Sequence, residues 1–279
     1  MSNIQQRKVA ELYPHPKNQS IYGDEDIKEL AQSIEEQGLN VALLIRPDGR
    51  IISGHRRWKA VKLLGWETVN VIQKEFTDDA EELKTLLIRN EYRTKTNEQK
   101  CREGLLWEDI EAANSRKLMG VKGKGEGLAR NRIATKVGFT SGANYHKARL
   151  IVTDIDKAEE VGDFAKAQSL RKVLNEKSVN AAFEMRAVLS AIDEAEESSD
   201  IATADALRKA LDQGISVAHK MLNRNRNESE TEDTQTQSDI NESETEDIQT
   251  QSGNNQAEAE HIQTEIDVKQ SKTQHTQTH

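Results

Sequence analysis

The chain has 279 residues, 35% hydrophobic, 4% aromatic and 31% charged: room for one or two domains plus extensions, with modest cores and a helix-favouring composition. Its one cysteine, Cys101, excludes an internal disulfide framework and any multi-cysteine zinc site and fits a reducing compartment. No apolar run approaches the ~18 residues of a membrane span, and Met1 to Lys8 lacks a signal-peptide core, so the expectation is a cytoplasmic protein with no membrane partner.

The net charge of -9 is unevenly spread. Residues 227–279 hold 13 Asp and Glu against two Lys, so the body before them is about +2, and residues 93–150 hold 13 Lys and Arg against 6 Asp and Glu. A basic middle beside an acidic tail suits a body that meets nucleic acid, and a solvated helix face has the same composition.

Along the first 90 residues, strand and helix signals alternate. Val9 to Leu12 reads as a short strand, and the two prolines of Tyr13 to Asn18 forbid a helix there. Asp24 to Gln37 reads as an amphipathic helix with Ile27, Leu30, Ala31 and Ile34 on one stripe and Gly38 as the stop. Strands follow at Val41 to Ile45 and Ile51–Ile52, joined by the Pro47-Asp48-Gly49 turn. Arg56 to Leu64 is the next helix, Val69 to Ile72 a strand, and Asp78 to Asn90 a helix with Leu83, Leu86 and Leu87 inward. This is a small α+β unit.

Its most informative stretch is Ile51-Ile52-Ser53-Gly54-His55-Arg56-Arg57-Trp58. A glycine at the mouth of a helix admits close backbone approach, and the first-turn N–H groups have no intrahelical partner, so they suit a phosphate. Arg56 and Arg57 add charge-assisted contacts at the helix end that is electrostatically wrong for cations unless an anion is bound. Ordinary surface ion pairs are the alternative.

From Thr96 to Ile192 only helices are expected. Asn97 to Lys117 is one; the loop Gly120 to Gly127 lacks the ending of a phosphate loop and reads as a basic hinge, with Lys122 and Lys124 able to meet a DNA backbone. Leu128 to Leu150 has helix-turn-helix character, with Gly138 to Ser141 as the turn and a second helix from Gly142 or Ala143 to Ile151. Ser141, Asn144, His146, Lys147 and Arg149 are its candidate contacts to bases or phosphates, and Arg130 and Arg132 its backbone contacts. Tyr145 and Ala148 fill apolar positions one residue later than the commonest spacing. Asp163 to Glu197 and Ala202 to Leu222 read as helices for packing or subunit pairing. The tail repeats Asn227 to Asp233 as Asn241 to Asp247 and is expected to be disordered. The expected domains are 1–92, 93–192, a C-terminal helix at 193–222 and the acidic tail 223–279.

The order of these pieces resembles the ParB/RepB family of plasmid and chromosome partition proteins over residues 5 to 192. The family's first box is similar to Leu12 to Gly38, its glycine-glutamate-arginine-arginine box to Gly54-His55-Arg56-Arg57, and its third box to Arg89-Asn90-Glu91-Tyr92-Arg93, with the helix-turn-helix after them. The resemblance implies a ParB/sulfiredoxin-like α+β N-terminal domain, an all-α helix-turn-helix domain and a homodimer that binds DNA. It also implies CTP and magnesium as cofactors. Gly54, His55, Arg56, Arg57, Asn90 and Arg93 would form the nucleotide site, with Asn90 and Glu91 toward the metal. A ParA-type ATPase is an implied partner, although only Gln5-Gln6-Arg7-Lys8 stands where a basic docking extension would be.

This chain departs from the pattern at His55, Arg89 and Tyr92, where the family has glutamate, glutamate and glutamine. A cation where a metal ligand is expected argues against the usual magnesium geometry. Sulfiredoxin chemistry is rejected, because its nucleophilic cysteine is replaced by His55. A metal-dependent nuclease, a CTP hydrolase and a DNA-binding module without nucleotide remain alternatives, the first with His55 as a general base.

Overall fold

The computed structural model describes residues 4–117 and 126–227, so Lys122, Lys124 and the acidic repeats lie outside the described residues. The chain divides into two compact units, residues 1–199 and 200–279.

The first unit begins with a five-stranded mixed sheet in the order β1-β5-β3-β4-β2. Its strands are β1 (Ile4–Lys8), β2 (Tyr13–Pro14), β3 (Leu43–Ile45), β4 (Arg50–Ser53) and β5 (Thr68–Gln73). Strand β1 pairs antiparallel with β5 from Ile4 opposite Ile72 to Lys8 opposite Thr68, while β3 runs parallel to β5 and antiparallel to β4. The first strand therefore precedes the expected one: Val9–Glu11 is a 3-10 turn. The polar run Ile4 to Lys8 carries no burial pattern for a sequence reader to see, because an edge strand is held by its backbone ladder.

The proline loop also differs from expectation. Pro16–Tyr22 is a helix, α1, with Pro16 at its first position and His15 as its N-cap. Proline is disfavoured inside helices but suits the first turn, where its missing N–H would be unpaired anyway. It also keeps His15 extended.

Helix α2 (Lys28–Gln37) starts four residues later than expected, and α3 (His55–Leu63) follows β4 directly. Both cover one face of the sheet. Ala31 and Ile34 of α2 and Trp58, Ala60 and Val61 of α3 form one core with Leu43, Ile45, Ile51, Val69 and Val71. Leu44 and Ile52 alternate to the other face, and α4 (Asp79–Arg89), which buries Leu86 and Leu87, packs against β4. Asp78 caps α4 by accepting from the Glu81 N–H. The β3–β4 turn closes with Gly49 at φ 97°, where a Cβ would stand 2.5 Å from the Glu11 carbonyl oxygen.

Among the described residues, five helices complete this unit: α5 (Asn97–Lys117), α6 (Glu126–Val137), α7 (Gly142–Glu160), α8 (Phe164–Glu176) and α9 (Val179–Glu197). Thr96 and Gln99 open α5 with a reciprocal capping box. Helix α7 is the hub, packed on α5, α6, α8 and α9. The expected single helix from Asp163 to Glu197 is broken at Lys177–Ser178, where Ser178 caps α9. In the second unit, α10 (Ile201–Gln213) ends at Gly214 and a further helix spans residues 215–227.

One charged group is buried beneath the sheet. The Glu82 carboxylate, 2% exposed, accepts from Arg46 at 2.6 Å and Arg50 at 3.3 Å. Glu82→Ala removes the buried acceptor of both guanidinium groups, but Arg46 keeps Asp48 at 3.8 Å, Arg50 keeps its hydrogen bond to Tyr13, and each is about one-third exposed and can turn to water. A loss of about 2 kcal/mol is expected in urea unfolding, below the cost of a fully buried pair.

Candidate functional site

The site is built where β4 becomes α3. Gly54 has φ 101° and ψ 23°, and no side chain caps the helix that starts after it. The left-handed conformation ends the strand and turns the first-turn N–H groups outward together. A Cβ at Gly54 would lie 2.5 Å from Leu43 Cδ2 and 3.1 Å from Arg57 Nη2, so the position is closed to other residues. The result is an anion cradle of backbone donors.

His55 does not face that cradle. It is 6% exposed, and its Nε2 accepts from the His15 N–H at 3.2 Å. Its imidazole also bonds the Ile51 backbone, so the neutral ring carries its proton on Nδ1. Burial, with His15 and Lys59 nearby, pushes its pKa down to about 3. His15 is arranged similarly. Its Nδ1 accepts from the Lys17 N–H at 3.1 Å and its Nε2 lies 3.3 Å from Glu82 Oε1, so it donates there as a neutral ring. Burial holds its pKa below the usual histidine range. The side chain at the second box position thus belongs to the fold, leaving only the His55 backbone N–H for a ligand.

The cations around the cradle are held in different ways. Arg56 is 49% exposed and 3.7 Å from Glu25. Arg57 donates through Nη1 to the carbonyls of Val41 at 2.5 Å and Ala42 at 3.3 Å. Burial and the nearby Arg89 charge lower its pKa. Arg93 pairs with Glu25 and lies over the Tyr22 ring, 4.2 Å from its centroid. Asn90 ends α4, with its Nδ2 donating to the Leu86 carbonyl at 2.9 Å. Glu91 is exposed and Tyr92 is 98% exposed.

The residues therefore fit a polyphosphate better than they fit a metal. Gly54, the first turn of α3, Arg56 and Arg93 offer donors and positive charge. Asn90 and Glu91 stand between Arg89 and Arg93 in sequence. Among the described residues, no group of three or more His, Cys, Asp or Glu converges to hold a metal ion.

The second candidate surface is the α6–α7 pair. Ser141 caps α7 by accepting from the Asn144 N–H, and the Gly142 N–H donates to Asn131 Oδ1 at 3.0 Å, tying the two helices together. Tyr145 and Ala148 are fully buried. The Tyr145 ring lies across Gly104 of α5, where a Cβ would meet it at 2.5 Å. Asn144 bonds Thr140 at 2.7 Å, Lys147 bonds Asn180 at 2.8 Å, and Arg149 bonds Glu108 at 3.1 Å. His146 is exposed. Arg130 is partly buried, and Arg132 is exposed and paired with Glu111.

Sequence reasoning missed Glu25, Tyr22, His15 and Glu82. Only Glu82 left a local sign: it stands four residues before Leu86, on the same inward face of α4. The other three act across the chain.

Both histidines resist protonation in the fold, so the unfolded chain takes up protons first as pH falls below about 6.5. Stability contributed by neutral His55 is therefore present above pH 6.5 and lost as pH falls toward about 3. In urea titrations, His55→Asn should flatten that acid slope by up to ~1.4 kcal/mol per pH unit. An unchanged slope would contradict the buried neutral ring.

With this geometry in hand, the kinships follow. Residues 1–91 match the family model of the ParB N-terminal domain. A nucleoid occlusion protein of Halalkalibacterium halodurans is 34% identical over 152 residues, 53% of this chain and 48% of that protein. Another from Oceanobacillus iheyensis is 28% identical over 238 residues, 83% of this chain and 67% of that protein. The chain thus spans about half the length of the first relative. A solved structure of C-terminally truncated chromosome-partitioning protein ParB from Caulobacter crescentus, complexed with CTP-γ-S, is similar at TM-score 0.30 and 21% identity, covering 64% of this chain and 97% of that one. No helix among the described residues is long and apolar enough to cross a membrane. Residues 1–91 of this protein are a ParB N-terminal domain.

Proposed function

We propose that the chain is a DNA-binding protein of the ParB type, acting in partition or as a regulator, with a CTP site at the start of α3. One observation carries the nucleotide reading: an uncapped helix N-terminus preceded by a left-handed glycine, with Arg56, Arg57 and Arg93 around it. The triphosphate would lie on the N–H groups after Gly54, with Arg56 and Arg93 on its oxygens. Arg57 would hold the loop at Val41–Ala42 that borders the site. Magnesium, if it accompanies the nucleotide, would have to be held mainly by phosphate oxygens, with Asn90 or Glu91 beside them.

The DNA reading rests on the helix pair α6–α7, with Ser141 capping α7, and on the basic charge of residues 93–150. The first two turns of α7 would enter the major groove, with Ser141, Asn144, His146, Lys147 and Arg149 toward the DNA. Lys147 and Arg149 would exchange Asn180 and Glu108 for phosphates or bases. Arg130, Arg132, Lys122 and Lys124 would meet backbone phosphates. A homodimer and a ParA-type ATPase partner belong to the same proposal. A second reading is favoured by Arg57, already satisfied by two carbonyls, and by Arg89 beside it: a DNA-binding module that works without nucleotide.

Titration calorimetry with CTP separates the two. On the first reading the full chain binds CTP, and Arg56→Ala weakens binding about tenfold, a loss of ~1.4 kcal/mol. No binding, with or without DNA, would leave the second. For DNA, replacing Arg130 and Arg132 by Ala should weaken all sequences about equally and lower the salt dependence by roughly one ion per arginine. A change in sequence preference would instead assign them to base contacts.

A further inference from the structure

We propose that Glu25 is a built-in occupant of the anion site, a carboxylate that holds Arg56 and Arg93 where a phosphate would, and that must leave for a nucleotide to bind. The inference rests on the nucleotide reading above and names what regulates that site.

Glu25 lies in the short link between α1 and α2. One carboxylate oxygen pairs with Arg93 and the other lies 3.7 Å from Arg56 Nε. The two arginines are 37 positions apart in the sequence, on the turn after α4 and on the first turn of α3. One side chain from a third element thus bridges Arg56 and Arg93. The neighbouring Asp24 fastens the same link to α3: its Oδ1 accepts from Lys59 at 3.0 Å and from Gln19 at 3.1 Å. Lys59 is about one turn beyond Arg56, so Asp24 and Glu25 lie along the start of the basic helix.

The chemistry explains the choice of residue. Cations at a helix N-terminus oppose the helix dipole. Arg93, 18% exposed, also needs an acceptor when no ligand is bound. A carboxylate satisfies both needs with the planar, two-oxygen face that guanidinium groups recognise. It carries only one negative charge. A triphosphate brings more charge and more acceptor oxygens, and also uses the backbone N–H groups after Gly54, so it can outcompete the carboxylate. Glu25 therefore keeps the site ordered while empty and lowers its affinity for weaker anions.

The test uses the full chain in titration calorimetry with CTP and with inorganic tripolyphosphate. Thermal melting first establishes that each variant is folded. Glu25→Gln is expected to bind both compounds about tenfold more tightly than wild type. Glu25→Asp keeps the charge but cannot reach both arginines, and should fall between them. Glu29→Gln, which removes one negative charge from the exposed first turn of α2, should match wild type. In wild type, hydrogen exchange at residues 23–27 should rise when CTP is added, because the link is released. Unchanged or weaker binding by Glu25→Gln, or slower exchange at 23–27 with CTP, overturns the inference while leaving the nucleotide site intact. Binding of neither compound by wild type or Glu25→Gln overturns the nucleotide reading and this inference with it.

Discussion

A chain of buried polar groups runs beneath the candidate nucleotide site and fixes its geometry. Glu82 on α4 accepts from His15, and the His15 backbone N–H donates to His55, the first residue of α3. All three are nearly excluded from water, so each requires a partner, and each partner is supplied by a different segment. The same carboxylate draws in Arg46 and Arg50 from the β3–β4 hairpin. The hairpin, the proline loop and α4 therefore meet under the start of α3. Such a network adds little net stability, because desolvation cancels much of the attraction. Its value here is positional: it sets where α3 begins, and so where its unpaired N–H groups point.

Above that network, the cations are restrained before any ligand arrives. Arg57 spans to the carbonyls preceding β3, while Arg93 is held between Glu25 and the face of Tyr22. Tyr22 in turn donates to Glu103 of α5 at 2.5 Å, and Glu103 accepts from Lys95 at 2.7 Å. This last pair is deeply buried, and burial together with Glu103 raises the Tyr22 pKa well above its ordinary range, so the phenol stays a proton donor. Arg93 is thus mechanically continuous with the helix that opens the helical region. A change at Arg93 can be felt at α5 through packed, hydrogen-bonded contacts, which is the physical requirement for coupling an anion site to the helices.

The helical region follows a different logic. Tyr145 and Ala148 bury one side of α7, and the lack of a side chain at Gly104 lets the Tyr145 ring approach α5. This seating decides which residues of α7 face outward. It also places Lys147 and Arg149 beside polar partners from α9 and α5. Their charges are held in position without being consumed, since both pairs are solvent-accessible and weak in water.

The sequence alone determined what depends on neighbours along the chain. The Pro47-Asp48-Gly49 turn, the Gly38 stop, the Asp78 and Ser141 caps, the apolar stripes of α2, α4 and α7 and the glycine-arginine start of α3 are all written within a few residues, because turns, caps and amphipathic faces are local. The tertiary structure decided what depends on distance. Edge strand β1 is invisible in the pattern because backbone pairing with β5 holds it. Two prolines suggested a loop, yet one of them begins α1, because position within the first turn overrides propensity. His55 looked like a ligand-facing residue and proved to be a buried link. Glu25 looked like one more charge at a helix start and proved to bridge Arg56 and Arg93. Nothing near Glu25 in sequence identifies its partners, since both are brought to it only by the closure of the sheet and its helices.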